Sequence, residues 1–511
     1  MEESQVQNCS IEMENITKSF GTLMANEDVN LIVKKGEVHA LLGENGAGKS
    51  TLMNMLSGIY SPDSGSIYVE GKAVKFTSPK DSIQLGIGMI HQHFKLVDVL
   101  TAKENIILGV KKKEIKGHDV AKEIKALSEK YGLDIDPEKK VYEMSVSEKQ
   151  TLEIIKVLYR GARVLILDEP TAVLTPQEIS KLFRIINNMK EQGCAVIIIT
   201  HKLGEVMEIS DRVTVLRKGR SIETVETKTV SIPTLIEMMV GEKVQLEIKR
   251  EEVPRGEELL NMDEVTVIDK EGKSALDNVS FRLYAGEILG VAGVAKSGQK
   301  ELCESIAGLV PAAKGRIFFK GENIVGKSPR DIIRFGIRMG FIPEDRLGMG
   351  LVGSMDIVHN LILKDYQSQP GILLKRGPCI EKANKIVNSL EIKTPNINTP
   401  VKKLSGGNIQ KVLLGREIDA DPKVLITAYP VRGLDIGASY KIYDLLNEQK
   451  KKDVGVIFVG EDLDVLMELS DRIMVLCEGR VMGIVDPRKV SKEDVGLLMT
   501  GTQLAEEVIH D

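Results

Sequence analysis

No stretch of this 511-residue chain stays apolar for the roughly 18 to 20 residues that a membrane-crossing helix needs. If the protein works at a membrane, a partner must hold it there. A basic excess is missing too: 69 Lys and Arg face 74 Asp and Glu, a formal net charge of −5, which gives no support to nucleic-acid binding through a basic surface. Cysteine is sparse. Cys9, Cys194, Cys303, Cys379 and Cys477 are scattered and never take a metal-ligand spacing, so they read as buried thiols in a reducing cytoplasm and not as a disulfide framework. The N-terminal Met1-Glu2-Glu3-Ser4-Gln5 is acidic and polar, unlike a secretory signal. What is present is ordinary for a globular protein, 42% apolar and 28% charged, and the length is too great for one hydrophobic core. Two or more domains are expected.

One stretch stands out. The apolar run Val38-His39-Ala40-Leu41-Leu42 leads into Gly43-Glu44-Asn45-Gly46-Ala47-Gly48-Lys49-Ser50-Thr51, and Leu52-Met53-Asn54-Met55-Leu56 follows with helical spacing. Strand, glycine-rich loop and helix complete the pattern G-x-x-x-x-G-K-[ST] in its required context. Backbone N–H groups of such a loop, with the positive end of the helix dipole, cradle the β- and γ-phosphates of a nucleoside triphosphate. Lys49 supplies a point charge, and Ser50 a hydroxyl for Mg²⁺.

The chain also contains itself twice. Ser78-Pro79-Lys80-Asp81 returns as Ser328-Pro329-Arg330-Asp331, Gly36-Glu37-Val38 as Gly286-Glu287-Ile288, and the ten residues from Asp211 to Arg220 as those from Asp471 to Arg480. A period of about 250 residues indicates two homologous domains and not a solenoid. The expected division is a first domain 1–245, a linker 246–256 within the charge-rich stretch Glu242–Glu258, and a second domain 257–511. Each half alternates β-branched strands with amphipathic helices, as an α/β fold with a mixed, largely parallel sheet should. In the first half strands are expected at Glu37–Leu42, Val164–Leu167, Val196–Thr200 and Arg212–Leu216, with an inserted helical subdomain around Ala121–Tyr131.

Further motifs stand in a fixed order: Gln92 after a strand, Met144-Ser145-Val146-Ser147-Glu148-Lys149-Gln150 opening a helix, the strand Val164-Leu165-Ile166-Leu167 ending in Asp168-Glu169-Pro170-Thr171, and Ile199-Thr200-His201. The set resembles the ATP-binding cassette ATPases: Walker A, Q-loop, signature, Walker B with its catalytic glutamate, and H-loop, in two copies over nearly the whole chain. The fused tandem is similar to bacterial importer ATPases for simple sugars and nucleosides, an impression strengthened by Ile342-Pro343-Glu344-Asp345-Arg346 and by Pro430–Ala438. The resemblance implies ATP and Mg²⁺ as cofactors, with the metal on Ser50, Asp168 and Gln92. It also implies that Glu169 polarises water, that His201 senses the γ-phosphate, and that Phe20 stacks on adenine.

Aligning the halves exposes an asymmetry. In the second loop, Gly293–Glu301, Gln299 stands where Lys49 does and Lys300 where Ser50 does. Ala428 faces Asp168, Tyr429 faces Glu169 and Glu461 faces His201. The signatures are biased the other way: Leu404-Ser405-Gly406-Gly407-Asn408 is close to the family's L-S-G-G-Q, whereas Val146 and Ser147 replace the glycines in the first half and Glu148 adds a negative charge. Cassettes of this family pair head to tail. The resemblance therefore implies one competent site, from the first Walker motifs and Ser405, Gly406 and Gly407, and one degenerate site.

The same resemblance implies integral-membrane permease subunits as partners and, indirectly, an extracytoplasmic solute-binding lipoprotein or periplasmic protein. It places the chain on the cytoplasmic face of the membrane, with no nucleic-acid partner. The coupling surface is expected at His93–Asn105, including Phe94 and Leu96, and at Glu344–Asn360 in the second half. Gly88–Val97 and Leu158–Ala162 look more like nucleoside-type than ribose- or galactose-type importers, with simple sugars the alternative. Soluble tandem cassettes acting on ribosomes or DNA keep both sites and a long basic linker, neither of which is seen here.

Overall fold

The computed structural model describes residues 9–92, 94–111, 117, 119–172, 174–241, 248–341, 346–364, 366, 376–434 and 436–502. His93, Asp435 and the segment 342–345 with Glu344, all singled out above, lie outside the described residues. The chain divides into two units, Met1–Gln245 and Leu246–Asp511.

The first unit's strands are β1 (Cys9–Phe20), β2 (Leu23–Lys34), β3 (Val38–Leu42), β4 (Ser64–Val69), β5 (Lys72–Val74), β6 (Ile87–Ile90), β7 (Val164–Asp168), β8 (Ala195–Thr200), β9 (Arg212–Arg217) and β10 (Arg220–Glu226). Two sheets result. One runs β2-β1-β4-β5 and is antiparallel, a layer the sequence reading did not anticipate. The other runs β10-β9-β3-β8-β7-β6, parallel throughout except for β10 at one edge.

The parallel strands are buried on both faces, which explains their unbroken apolar runs. Successive residues point opposite ways. Ile166, Ile197 and Ile199 join the antiparallel sheet and helix α1 (Lys49–Leu56) in one core cluster. Leu165, Leu167, Val196 and Ile198 join a second cluster with the helical layer. That layer contains α2 (Ala102–Ile107), α3 (Val120–Tyr131), α4 (Val146–Tyr159) and α5 (Pro176–Glu191). Thr101, Ser145 and Thr175 each start a helix with a capping box, closed by Glu104, Glu148 and Glu178. The subdomain helices α2 and α3 share the β7 core: Ile106 and Ile124 belong to the same cluster as Leu165.

The second unit repeats the plan with β11 (Glu258–Ile268), β12 (Ser274–Tyr284), β13 (Ile288–Ala292), β14 (Lys314–Phe319), β15 (Glu322–Asn323), β16 (Ile337–Phe341), β17 (Val424–Ala428), β18 (Gly455–Val459), β19 (Arg472–Cys477) and β20 (Arg480–Val485). Its sheets run β12-β11-β14-β15 and β16-β17-β18-β13-β19-β20, the same two orders. Its helices include α6 (Gln299–Ile306), α7 (Ile357–Ile362), α8 (Arg376–Ser389), α9 (Gly406–Asp419) and α10 (Ile436–Lys450). Here α7, α8 and the start of α9 enclose a core cluster of their own around Leu361, Ile386 and Val412. Among the described residues no helix is long and apolar enough to cross a membrane. Cys194, Cys303 and Cys379 are buried as expected, while Cys477 is only half-buried.

Residues 248–256, expected within the linker, carry no regular element but are tied to the second unit. Asn447 Nδ2 donates to the carbonyl of Lys249 at 2.9 Å, Arg250 Nε to that of Glu468 at 3.1 Å, and Lys450 Nζ to that of Glu251. The strap seals Lys450, which is fully buried and 2.7 Å from Asp471; that carboxylate also accepts from Ile288 N at 2.8 Å. The first unit has the same pair, Lys190–Asp211 at 2.5 Å, but both side chains are about one-third exposed. Lys450 is sealed although Asp471 keeps 26% of its side chain exposed; removing the lysine leaves that mostly buried carboxylate without its cation, whereas an open pair contributes little. Lys450→Met is therefore expected to cost about 3 kcal/mol and Lys190→Met less than about 1 kcal/mol, measured by urea unfolding of the full chain. Equal losses would contradict the sealing role of the strap.

Candidate active site

A parallel sheet presents the carboxyl ends of all its strands along one edge, and loops leaving that edge can converge. In the first unit β3 ends at Leu42 and leads into Gly43, β8 ends at Thr200 before His201, β7 ends at Asp168, and β6 ends at Ile90 before Gln92. The order β3-β8-β7-β6 places these exits side by side. β7 runs one residue beyond its expected end, so Asp168 pairs with Ile199 and holds its carboxyl at the rim of the sheet.

The phosphate loop wraps the start of α1. Gly48 caps the helix at φ 97°, and a Cβ there would lie 2.4 Å from the Ala25 carbonyl, so only glycine fits. Lys49 is buried, with Nζ donating to the carbonyls of Gly43 at 2.6 Å and Glu44 at 3.0 Å. Burial draws its ammonium below the usual lysine range against the pull of Glu169 and Asp168. Asn45, Gly46 and Ser50 are exposed, Ala47 is buried with its N–H turned to the Glu44 carbonyl at 3.1 Å, and Thr51 sits half-buried in the first turn of α1.

Across from the loop the two carboxylates are driven apart. Burial first, and then the charge of Glu169, push the Asp168 carboxyl up to about 6, with Lys49 working against the rise. Glu169 goes the other way: His201 Nδ1 lies 3.0 Å from Oε1, and that hydrogen bond is the main reason its pKa falls below the usual carboxylate range. Gln92 Nε2 donates to Glu169 Oε2 at 3.2 Å. Glu169 also sits at φ 46°, a left-handed backbone that costs a non-glycine residue of order 1 kcal/mol. The result is an ionised, oriented base beside an acid that is poorly served without a cation, the pairing that acid–base and metal chemistry exploit.

The donor set suits Mg²⁺: a desolvated carboxylate on Asp168, an exposed hydroxyl on Ser50 and the remaining amide oxygen of Gln92. No group of three or more His, Cys, Asp or Glu among the described residues could hold a metal by itself. An ion here would need phosphate oxygens as well, as Mg²⁺ commonly does.

The second unit keeps the backbone and loses the chemistry. Gly298 caps α6 at φ 101°, yet Gln299 is the buried side chain, with Nε2 donating to the Val294 carbonyl at 2.9 Å. Ala428 ends β17, and Tyr429 follows at φ 53° with its hydroxyl pushed up to about 12, chiefly by burial. Glu461, in the place of His201, lies 3.3 Å from Arg432 Nε.

The helix starts that carry the signatures differ in the opposite sense. At α4, Glu148 N donates to Ser145 Oγ at 3.2 Å, and the Glu148 carboxylate accepts from Ser145 N at 2.8 Å and Lys139 Nζ at 2.6 Å. That end is already capped and carries a negative charge. At α9 the Ser405 side chain caps no backbone N–H; its Oγ instead accepts from Asn408 Nδ2 at 2.8 Å. Gly406 and Gly407 follow with their N–H groups at the positive end of the helix, suited to an anion.

Within the first unit the edge thus gathers Gly43–Thr51, Gln92, Asp168, Glu169 and His201, while Phe20 lies at the end of β1, partly exposed; Ser405, Gly406 and Gly407 belong to the second unit. Sequence reasoning missed Asn26, fully buried, whose Nδ2 donates to the Gly48 carbonyl at 3.3 Å. The repeat held the signal, because Leu276 takes that place in the second unit and packs against Gly298.

Asp168 titrates higher when folded than the roughly 3.9 of an unfolded aspartate, so the fold binds more protons than the unfolded chain between about pH 4 and 6 and loses stability as pH rises through that window. In nucleotide-free, metal-free protein, Asp168→Asn is expected to stabilise by roughly 1 to 2 kcal/mol at pH 7.5, allowing for solvent screening of a half-buried group, and the gain should shrink through that window and vanish below about pH 4. Thermal melts of both proteins across that range check this. A loss of stability at pH 7.5 would contradict it.

The ABC transporter family matches residues 26–172 and again 276–430. The guanosine import ATP-binding protein NupO of Bacillus subtilis (strain 168) is 45% identical over 499 residues, covering 96% of this chain and 97% of the relative. The glucose import ATP-binding protein TsgD13 of Haloferax volcanii is 41% identical, covering 96% of each chain, and the nucleoside import ATP-binding protein NupA of Lactococcus lactis subsp. cremoris 40% identical, covering 97% and 99%. With both halves matched and relatives aligned over nearly their whole length, the chain belongs to the ABC transporter family and is one of its ATP-hydrolysing proteins.

Proposed function

We propose that this chain powers a membrane importer for nucleosides through one competent ATP site and one degenerate site. The carrying observation is the crossed asymmetry: Lys49, Asp168, Glu169 and His201 stand in the unit whose signature helix is self-capped, and Gln299, Ala428, Tyr429 and Glu461 in the unit whose signature helix is open. Pairing the first unit's Walker motifs with Ser405, Gly406 and Gly407 gives every part of a site once; the converse pairing lacks the lysine, both carboxylates, the histidine and an open signature helix.

In this reading Lys49 and the loop amides hold the β- and γ-phosphates. Ser50, Asp168 and Gln92 hold Mg²⁺, which neutralises phosphate charge. Glu169, ionised at neutral pH and placed by its left-handed turn and by Gln92, orients the attacking water and takes its proton, a contribution of roughly 10² to 10⁴ in rate. His201 exchanges its contact with Glu169 for the γ-phosphate and so reports hydrolysis.

Permease subunits would meet the segment 94–105, where Phe94 and Leu96 are half-buried and Val97 and Val99 are 39% and 71% exposed. The protein then sits on the cytoplasmic face, with a solute-binding protein engaged only through the permease. Nucleosides are favoured because two of the relatives named above are a guanosine and a nucleoside import ATP-binding protein; the glucose import relative supports the second reading, simple sugars.

Lys49→Ala is expected to lower ATPase activity at least about 100-fold, while Gln299→Ala leaves it within twofold. Loss on Gln299→Ala with retention on Lys49→Ala would reverse the assignment of sites. The tagged protein purified from its own cells in mild detergent should bring down hydrophobic permease subunits, and nucleosides should outcompete sugars for uptake by that complex. Ribosomal proteins in place of a permease would refute the importer reading.

A further inference from the structure

Phe20 ends β1 with 43% of its surface exposed, where a lone ring would swing between rotamers. Two residues from the loop after α1 restrain it. Tyr60 packs edge-to-face on its ring, with centroids 5.2 Å apart and planes at 71°. Asp63 grips the three residues before it: its N–H donates to the Thr17 carbonyl at 2.8 Å, Oδ1 accepts from Lys18 Nζ at 2.7 Å, and Oδ2 accepts from Ser19 N at 2.8 Å and Ser19 Oγ at 2.9 Å. Lys18 Nζ also lies 5.7 Å from the Phe20 ring centre. We propose that Tyr60 and Asp63 are positioning residues that hold Phe20 as a base platform in register with the phosphate loop. This rests on the reading of Phe20 as the aromatic that stacks on adenine.

The register follows from connectivity. The loop bearing Tyr60 and Asp63 leaves the C-terminal end of α1, whose first residue is Lys49, and both Ile59 N and Tyr60 N donate back to the Asn54 carbonyl, at 2.8 and 3.1 Å. Gly58 turns the chain at φ 76°, where a Cβ would meet the Ser78 carbonyl at 2.6 Å. One rigid helix therefore bears on the phosphates at one end and on the base platform at the other.

The second unit shows that the fold does not need these side chains. Ala313 N donates to the Thr266 carbonyl at 2.8 Å, as Asp63 N does to Thr17, and Leu309 N and Val310 N donate back to the Glu304 carbonyl at 2.8 and 3.3 Å. The backbone is the same. By strand register, however, Val267, Ile268 and Asp269 replace Lys18, Ser19 and Phe20, and Val310 and Ala313 replace Tyr60 and Asp63. The ring, its brace and its acid are all present in the unit that carries Lys49 and all absent from the other.

The test compares affinity for MgATP with affinity for inorganic tripolyphosphate, which lacks a base, in the full chain. Tyr60→Ala and Asp63→Ala should each weaken ATP binding about three- to tenfold and leave tripolyphosphate binding unchanged; KM rises while kcat moves less than about twofold. Tyr60→Phe keeps the ring contact and should restore wild-type affinity. In a Phe20→Ala background, Tyr60→Ala should add nothing. Unchanged ATP affinity in both single variants, with Phe20→Ala still weakening it, would overturn the positioning role alone. A further loss on the Phe20→Ala background would mean that Tyr60 meets the base itself, and an equal loss for tripolyphosphate would mean general damage; either overturns the proposal. If Phe20→Ala leaves ATP affinity unchanged, the adenine reading falls with it.

Discussion

Two adjacent carboxylates at the end of one buried strand repel each other, and the first unit is arranged to keep their environments apart. The left-handed turn at Glu169 carries that carboxyl to His201 and Gln92, while Asp168 stays at the rim of the sheet, raised by burial and by its neighbour's charge. The sheet order supplies the remaining groups, because β8 and β3 lie beside β7 and deliver His201 and the Lys49 loop to the same edge. Ordering these elements costs conformational entropy, which the double-faced burial of β3, β7 and β8 offsets.

The second unit separates scaffold from chemistry. It repeats the strand order, the left-handed residue after β17 and the left-handed glycine before α6, and Tyr429 N still donates to the Val459 carbonyl at 2.8 Å, as Glu169 N does to Ile199 at 2.9 Å. A strained backbone survives there with a phenol in place of the base. Strain alone is thus no sign of catalysis in this fold; the carboxylate, the imidazole and the ammonium that surround it are. The signature helices show the same principle with a cap: one serine engages the N–H of Glu148, while the other leaves the helix end open.

Much of this was legible in the sequence, for identifiable reasons. The phosphate loop, the strand ending in Asp168 and the helical insertion announce themselves because backbone conformation and burial dictate residue type over several consecutive positions. The unequal chemistry of the halves could be read by aligning repeats, since Gln299, Ala428 and Tyr429 fall on fixed motif positions. The antiparallel sheet escaped notice because β1 is broken by register shifts and the outward face of β2 mixes the apolar Leu23, Met24 and Ile32 with polar residues, which blurs the alternation. Asn26, Tyr60 and Asp63 escaped because their partners, Gly48, Phe20 and Ser19, lie 22, 40 and 44 residues away and no local pattern links them. The sealing of Lys450 by residues 248–256 was hidden for the same reason: in sequence that stretch reads only as charged and irregular.

The central claim is that a single site in this chain turns over, and that it is built on the loop Gly43–Thr51. Trapping nucleotide with MgATP and orthovanadate, using a photoreactive 8-azido-ATP, tests it most directly. One trapped nucleotide per chain, cross-linked to peptides of the first unit, is the predicted result. Two trapped nucleotides per chain, or label concentrated in the second unit around Gly293–Glu301, would contradict it.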